Sequence, residues 1–204
     1  MRITSVTSAT IRRLVLALLP GLALAANAPA PSAPPALKAG VLSPAMPAPA
    51  LNLDGTDGKP LGLERFQGKV VLLAFGFSNC GNVCPITLAT LAGARKKLGA
   101  GAADVQVVYV TVDPERDDAA QMRKFLGSFD ASFIGGVGTR AQIDAAQKNY
   151  GISSSKTVHA DGGYSIGHSS SIYLIDRSGK LAAVMPYGHP VDDFVHDLKI
   201  LLRG

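Results

Sequence analysis

The sequence predicts an α/β domain in which a central mixed sheet is flanked by helices. A continuous apolar run, residues 70–75, is typical of a strand that is buried on both faces of a sheet, and the largely apolar segment 105–112 predicts a second buried strand. A helical pattern follows the first run, and two shorter apolar segments, 171–176 and 181–185, flank a turn and predict a hairpin. Strands that alternate with helices and then form a hairpin favour a sheet with both parallel and antiparallel neighbours.

Taken in order, the remaining elements agree with this class. Segment 54–58 is typical of a turn between short strands, so we expect an N-terminal hairpin extension before the first buried strand. A helix is expected from Pro85 to about Gly99, because proline suits the first helical position and apolar residues recur on one face. The other predicted elements are helices over 119–129, 140–150 and 191–202 and a hairpin turn at 177–180.

Residues 1–26 have the pattern of a secretory signal. Arg12 and Arg13 end a charged segment, residues 14–24 form a short apolar core, and a small-x-small cleavage site ends at Ala25. The core is too short to span a bilayer comfortably. An uncleaved interfacial anchor is the alternative, and only then would the protein contact a membrane. In both cases the folded part is expected outside the cytoplasm, in the periplasm.

Residues 27–50 differ in composition from the rest of the chain. They are rich in alanine and contain seven of the 13 prolines. Such a segment cannot bury enough apolar surface to fold, so we expect an extended, disordered linker. Residues 51–204 then form one domain, which is long enough to enclose a sizeable core.

The charge balance argues against a nucleic-acid-binding protein. The chain has 20 Lys and Arg against 15 Asp and Glu. Because Arg2, Arg12 and Arg13 belong to the predicted signal, 17 basic and 15 acidic residues remain. This small excess is not the basic footprint that nucleic-acid binding requires.

The only two cysteines, Cys80 and Cys84, lie at the start of the predicted helix. Unpaired backbone N–H groups and the positive end of the helix dipole favour thiolates there. At this spacing the sulfurs can face one point, where they could form a disulfide or bind a soft metal such as Cu(I), zinc or an iron–sulfur centre. Two protein ligands seldom complete a metal site, so a third is expected elsewhere.

The order strand, helix, strand, hairpin, helix is that of the thioredoxin fold, with the cysteine pair after the first central strand. In that topology the first hairpin strand lies antiparallel beside the cysteine strand, so the start of one strand neighbours the end of the other. His168 stands just before the hairpin strand. We therefore expect its imidazole to lie near both sulfurs.

Three sequence blocks carry a family resemblance. Cys80-x3-Cys84-Pro85 follows an aromatic-glycine-aromatic strand end, and the other two blocks are Val112-Asp-Pro-Glu-Arg-Asp117 and His168-Ser-Ser-Ser-Ile-Tyr-Leu-Ile-Asp176. Together these blocks resemble the signature of the Sco (SenC) copper-binding proteins. The resemblance extends from about residue 49 to the C-terminus.

The resemblance implies a thioredoxin-fold copper chaperone that assembles the dinuclear copper site of cytochrome c oxidase subunit II. It implies that Cys80, Cys84 and His168 bind copper as Cu(I), Cu(II) or both. Asp113 matches an acidic position near the copper site, in the second shell. One departure concerns Gly167, since many family members have aspartate directly before the histidine, and its absence could loosen control of the imidazole.

Each of these residues also has a structural interpretation. Cys80 and Cys84 could form only a structural disulfide, and His168 could be an ordinary histidine at a strand start. Asp113 could cap the turn at Pro114. The charged segment 115–117 is interpreted as a solvated run, with a partner-docking surface as the alternative.

A second function belongs to another class, a thiol–disulfide reductase that keeps the cysteines of the copper acceptor reduced. Cys80, nearer the exposed loop, would attack the target disulfide, and Cys84 would resolve the mixed disulfide. This reading requires a thiol reductant protein as a partner. Peroxidase activity is a weaker alternative, because no Thr-x-x-Cys environment surrounds either cysteine.

Overall fold

The computed structural model describes residues 36–204, and this part of the chain contains ten strands and four α-helices. Short 3₁₀ turns cover Leu63–Phe66 and Gly99–Asp104. In chain order the strands and helices are β1 (Gly40–Pro47), β2 (Leu53–Gly55), β3 (Pro60–Leu61), β4 (Val70–Gly76), α1 (Val83–Leu98), β5 (Val105–Thr111), α2 (Ala119–Gly127), β6 (Ile134–Val137), α3 (Arg140–Asn149), β7 (Ser154–Val158), β8 (Tyr164–His168), β9 (Ile172–Ile175), β10 (Lys180–Met185) and α4 (Val191–Leu201).

Eight of these strands form one mixed sheet in the order β1-β10-β9-β4-β5-β6-β2-β3. β4, β5 and β6 run parallel to one another, whereas β9 is antiparallel to both β4 and β10. Every residue of β4 and β5 is buried, because these strands occupy the middle of the sheet and helices flank it. This is a thioredoxin-like fold, and the predicted fold class is confirmed.

The four helices lie where the sequence predicts them, with ends that differ by one or two residues. α1 and α4 pack against each other, and their buried side chains include Leu88 and Leu91 on α1 and Phe194 and Leu198 on α4. The predicted N-terminal hairpin is present as β2 and β3. None of the helices between residues 36 and 204 combines the length and apolar character needed to cross a membrane.

The structure corrects the expected disordered linker over its C-terminal part. Residues 40–47 form β1, which pairs antiparallel with β10 at the edge of the sheet. An edge strand has one partner only, so Pro44 and Pro47 can be accommodated although they lack a backbone N–H group. The predicted signal, residues 1–26, and the rest of the linker to residue 35 lie outside the described residues.

A buried carboxylate holds the segment that leads into β1. Asp197 on α4 is fully buried, and its two oxygens accept hydrogen bonds from the backbone N–H groups of Lys38 at 2.7 Å and Ala39 at 2.9 Å. Buried backbone N–H groups need hydrogen-bond acceptors, and Asp197 supplies them for Lys38 and Ala39. This contact therefore fixes the position of the segment just before β1. Composition alone gave no sign of it, since Asp197 is distant in sequence.

β7 and β8 form a separate two-stranded ribbon that the sequence did not predict. All of β7 is exposed, and β8 alternates between half-buried and exposed residues, so only one face of β8 contacts the domain. We call this element, residues 154–168, the ribbon. Its last residue is His168, which places the predicted third ligand at the end of the ribbon nearest β9.

We predict that Asp197→Ala lowers the free energy of unfolding by about 1–3 kcal/mol, because it leaves two backbone donors without their buried acceptor. Asp192→Ala is the matched control on the same helix. Asp192 is exposed and pairs only with Lys97, so its loss is expected to change stability by less than about 0.5 kcal/mol. Urea unfolding followed by circular dichroism measures both values, and equal losses would contradict the role of Asp197.

Candidate metal centre

Cys84 lies in the first turn of α1, and Cys80 lies in the loop before it. α1 begins at Val83, two residues before the expected start at Pro85. Pro85 still costs no hydrogen bond, because the first backbone N–H groups of a helix have no partner within it. Cys84 is buried and Cys80 is half-buried, and both are free thiols. The two sulfurs therefore differ in their access to solvent.

The pKa of Cys80 is lowered from its ordinary value. Burial opposes ionisation, but hydrogen bonds from the backbone N–H groups of Asn82, Val83 and Cys84 and from the Cys84 thiol outweigh it. These donors belong to the start of α1, where the helix dipole also favours negative charge. The expected reactive thiol is therefore Cys80.

Cys84 has the opposite character, because burial raises the pKa of its thiol to about 12. The Tyr109 hydroxyl on β5 is a hydrogen-bond partner that offsets part of this effect. Gly76, at the end of β4, leaves room for both groups. A Cβ atom there would lie 1.8 Å from Tyr109 Oη and 2.9 Å from Cys84 Sγ, so any larger residue would displace them.

His168 lies beside Cys84, with Nε2 3.5 Å from Cys84 Sγ. Its Nδ1 is 2.8 Å from the Ser169 carbonyl oxygen and donates to it, which leaves the Nε2 lone pair facing the sulfur. The Phe77 ring packs edge-on at 5.9 Å between centroids and covers the imidazole. Burial lowers the pKa of His168, partly offset by the Ser169 carbonyl, so the ring is neutral at pH 7.

The structure thus brings Cys84 and His168 together, with Cys80 next to Cys84. Between residues 36 and 204, no three His, Cys, Asp or Glu side chains are already gathered around one point that could hold a metal. The neighbours of Cys80 in the loop, Asn79 and Gly81, are exposed. A three-ligand site therefore requires the side chains to come closer together, and Cys80 lies in this exposed loop. Two thiolates and an imidazole suit a soft or borderline metal ion.

Asp113 is fully buried and contacts the ribbon rather than the imidazole. One carboxylate oxygen accepts a hydrogen bond from Tyr164 Oη at 2.7 Å, and the other pairs with Arg116 Nε. Burial and this hydrogen bond raise the pKa of Tyr164 to about 12, so its hydroxyl stays protonated and donates. The turn at Pro114 is closed by the Asp113 backbone carbonyl, which accepts from two N–H groups, and not by its side chain.

Comparison with known proteins identifies the family. The family model described as SCO1/SenC matches residues 46–203. This protein belongs to the SCO1/SenC family. One curated relative is Protein SCO1 homolog 1, mitochondrial, from Arabidopsis thaliana, which is 32% identical over 137 residues, or 67% of this chain. The match spans 41% of that relative, so this Sco protein corresponds to less than half of its length.

Solved Sco structures agree over most of the chain. Bradyrhizobium japonicum ScoI with copper bound has a TM-score of 0.71 and 31% identity, covering 78% of this chain and 100% of that one. Apo Sco1 from Thermus thermophilus has a TM-score of 0.74 and 33% identity, covering 82% and 98%. BsSco, a cytochrome c oxidase assembly protein with a disulfide switch, has a TM-score of 0.61 and 27% identity, covering 78% and 95%.

The charged segment 115–117 of this Sco protein is not a solvated run, contrary to expectation. Asp117 is buried and accepts hydrogen bonds from the Ser78 backbone N–H at 3.1 Å and from the Thr111 hydroxyl at 2.6 Å. Only Glu115 is exposed as expected, and it pairs with Arg140. Asp117 therefore anchors the start of the loop that carries Cys80.

Four residues at the site were not assigned a role from the sequence, namely Gly76, Phe77, Tyr109 and Tyr164, although Gly76 and Phe77 belong to the aromatic-glycine-aromatic strand end. Phe77 and Tyr109 belong to apolar runs and look like ordinary core residues. The available signal was Gly76, because a glycine in an otherwise apolar strand often marks a place where another group approaches the backbone closely. Tyr164 had no signal, because its partners lie in a different part of the chain.

We predict that iodoacetamide modifies Cys80 first in the reduced protein at pH 7.5, because its lowered pKa supplies thiolate whereas the pKa of Cys84 is about 12. The rate should rise with pH, with a midpoint below 9.0, the ordinary thiol pKa. Mass spectrometry should find one adduct in the wild type and in Cys84→Ser, and almost none in Cys80→Ser. A first adduct on Cys84 would contradict this assignment.

Proposed function

We propose that this protein is a copper chaperone that delivers copper to the dinuclear copper site of cytochrome c oxidase subunit II, with Cys80, Cys84 and His168 as ligands. The observation that carries the proposal is the 3.5 Å approach of His168 Nε2 to Cys84 Sγ. The likeness to copper-bound ScoI, over most of the chain, supports the choice of metal. Copper is the cargo of this protein, and the acceptor is its partner.

The side chains are chemically suited to this cargo. Both cysteines are free, and thiolates bind Cu(I) well, whereas imidazole is tolerated by both Cu(I) and Cu(II). The hydrogen bond from Nδ1 to the Ser169 carbonyl orients the ring, as metal-binding histidines require. Because the pKa of His168 is lowered, Nε2 is available for a metal at neutral pH without loss of a proton.

The two thiols must lose their protons when copper binds. For Cys84, with a pKa of about 12, the metal has to displace a proton at any physiological pH, so copper affinity should rise with pH. The half-buried Cys80 lies in the exposed loop. An acceptor thiolate could therefore approach the copper from the Cys80 side and replace the ligands. We place this exchange in the periplasm, as the signal-like residues 1–26 predict.

We predict that the reduced, anaerobic protein binds about one Cu(I). We also predict that His168→Ala weakens Cu(II) binding by about 10-fold to 100-fold or more. Loss of a group that merely supports a metal ligand already has an effect of this size. His159→Ala is the matched control, because His159 is exposed in the turn of the same ribbon. Competition titration with a copper chelator measures both affinities. Equal effects of the two variants would remove His168 from the ligand set.

The asymmetry of the two thiols favours a second candidate function, a thiol–disulfide reductase for the acceptor. The Cys80 thiolate would attack the acceptor disulfide and release one acceptor thiolate, which leaves a mixed disulfide. Cys84 would then give its proton to the acceptor thiolate released first and attack Cys80 Sγ, releasing the second acceptor thiolate and forming the Cys80–Cys84 disulfide. A thiol reductant protein would have to supply two electrons to restore the dithiol.

We predict that His168→Ala retains most of any reductase activity, because this mechanism uses the sulfurs alone. Cys84→Ser should lose turnover and accumulate the mixed disulfide through Cys80. The measurement is reduction of a peptide that contains one disulfide, with trapped species detected by mass spectrometry. If His168→Ala lost reductase activity while copper binding stayed unchanged, the reductase would become the preferred function.

A further inference from the structure

We propose that Tyr164 is a positioning residue for His168, because its ring and hydroxyl fasten the ribbon to the domain through Arg116 and Asp113. We call the side chains of Asp113, Arg116 and Tyr164 the latch. The inference rests on the proposed function, in which His168 is a copper ligand. It adds the residues that determine where the imidazole lies before copper arrives.

The ribbon needs such a fastening. β7 and β8 pair only with each other, and an isolated two-stranded hairpin is marginally stable in water. At its His168 end, the ribbon contacts the domain through the Ser154 hydroxyl, which lies 2.6 Å from Gln147 Oε1 on α3. At its other end, where Val158 pairs with Tyr164, β7 is fully exposed, and the contact of Lys156 Nζ with the Tyr164 ring, 3.7 Å from its centre, stays within the ribbon.

The latch supplies the missing contacts at this second end. Tyr164 Oη donates to the buried Asp113 carboxylate at 2.7 Å, and the Arg116 guanidinium lies 3.7 Å from the centre of the Tyr164 ring. Arg116 also donates to the Tyr164 backbone carbonyl at 3.2 Å and pairs with Asp113. Asp113 and Arg116 together therefore hold the ring, the hydroxyl and the backbone of Tyr164.

The position of Tyr164 is transmitted to His168 in two ways. Side chains two residues apart share a face of a strand, so Tyr164, Ile166 and His168 all lie on the half-buried face of β8. Holding Tyr164 therefore prevents the ribbon from rotating His168 away from Cys84. Arg116 also stacks on Phe77, with 5.8 Å to its centroid, and Phe77 packs edge-on against the His168 ring.

This arrangement has particular importance because residue 167 is glycine. No side chain at that position is available to hold the neighbouring imidazole, and Nδ1 instead donates to the Ser169 carbonyl of the same segment. A carbonyl on the same backbone fixes the tautomer of the ring but moves together with the ribbon. The location of the ring relative to the sulfurs consequently depends on how the ribbon is attached.

The experiment compares Tyr164→Leu with Tyr187→Leu, which removes an exposed tyrosine between β10 and α4. In metal-free protein, hydrogen exchange should be faster in ribbon amides for Tyr164→Leu alone, with β4 and β5 unchanged. The same variant should weaken Cu(II) binding by about 10-fold to 100-fold, as loss of a residue that orients a ligand does. Tyr187→Leu should change neither quantity.

A double-mutant cycle separates positioning from a general structural effect. In the His168→Ala background, Tyr164→Leu should no longer change Cu(II) affinity, because the ligand through which it acts is gone. An equal loss of affinity in both backgrounds, or unchanged ribbon exchange, would overturn the proposal. If His168→Ala alone leaves affinity unchanged, the proposed copper site fails, whereas ribbon exchange still tests the latch.

Tyr164→Phe provides a milder test if Tyr164→Leu does not fold. It keeps the ring beside Arg116 and removes only the hydroxyl that binds Asp113. We expect Cu(II) affinity to fall by about fivefold, which corresponds to the net value of one hydrogen bond, with faster ribbon exchange. Wild-type values for both affinity and exchange in this variant would equally overturn the proposal.

Discussion

The antiparallel pairing of β4 with β9 is the constraint on which the site depends. Leu72 lies opposite Leu174 in this register, so the end of β4 is next to the start of β9. The chain leaving β4 turns into the cysteine loop and α1, and the chain entering β9 arrives from the ribbon. Because both strands are buried in the sheet, neither can slip without moving apolar side chains to the wrong face.

Burial gives the two cysteines different chemistry although they share one motif. The sheet and α1 enclose Cys84, which raises its pKa, whereas the loop exposes Cys80 to the donors at the helix start, which lower its pKa. A metal carrier and a thiol reductase can both use this difference. The imidazole beside Cys84 separates the two functions, since metal binding needs a third ligand and disulfide exchange does not.

The residues around the site connect distant parts of the chain. Asp117 holds the start of the cysteine loop, and Asp113 holds the ribbon, so one short segment after β5 attaches both to the loop with Cys80 and to the ribbon with His168. These carboxylates are buried, and each has hydrogen-bond partners, as buried charge requires. The sequence pattern of this segment predicts a solvated charge run, because pattern alone does not reveal which charges have partners.

The sequence by itself determined the thioredoxin-like order of elements, the buried central strands and the two thiols at a helix start, because these follow from local apolar patterns and spacing. Strand order also implies that His168 lies near the cysteine segment, and the structure places it beside Cys84. Only the tertiary structure decided that β1 joins the sheet, that the ribbon exists and that Tyr164 and Asp113 meet. Those outcomes depend on contacts between residues far apart in the chain, such as Asp197 with Ala39, which no local pattern encodes.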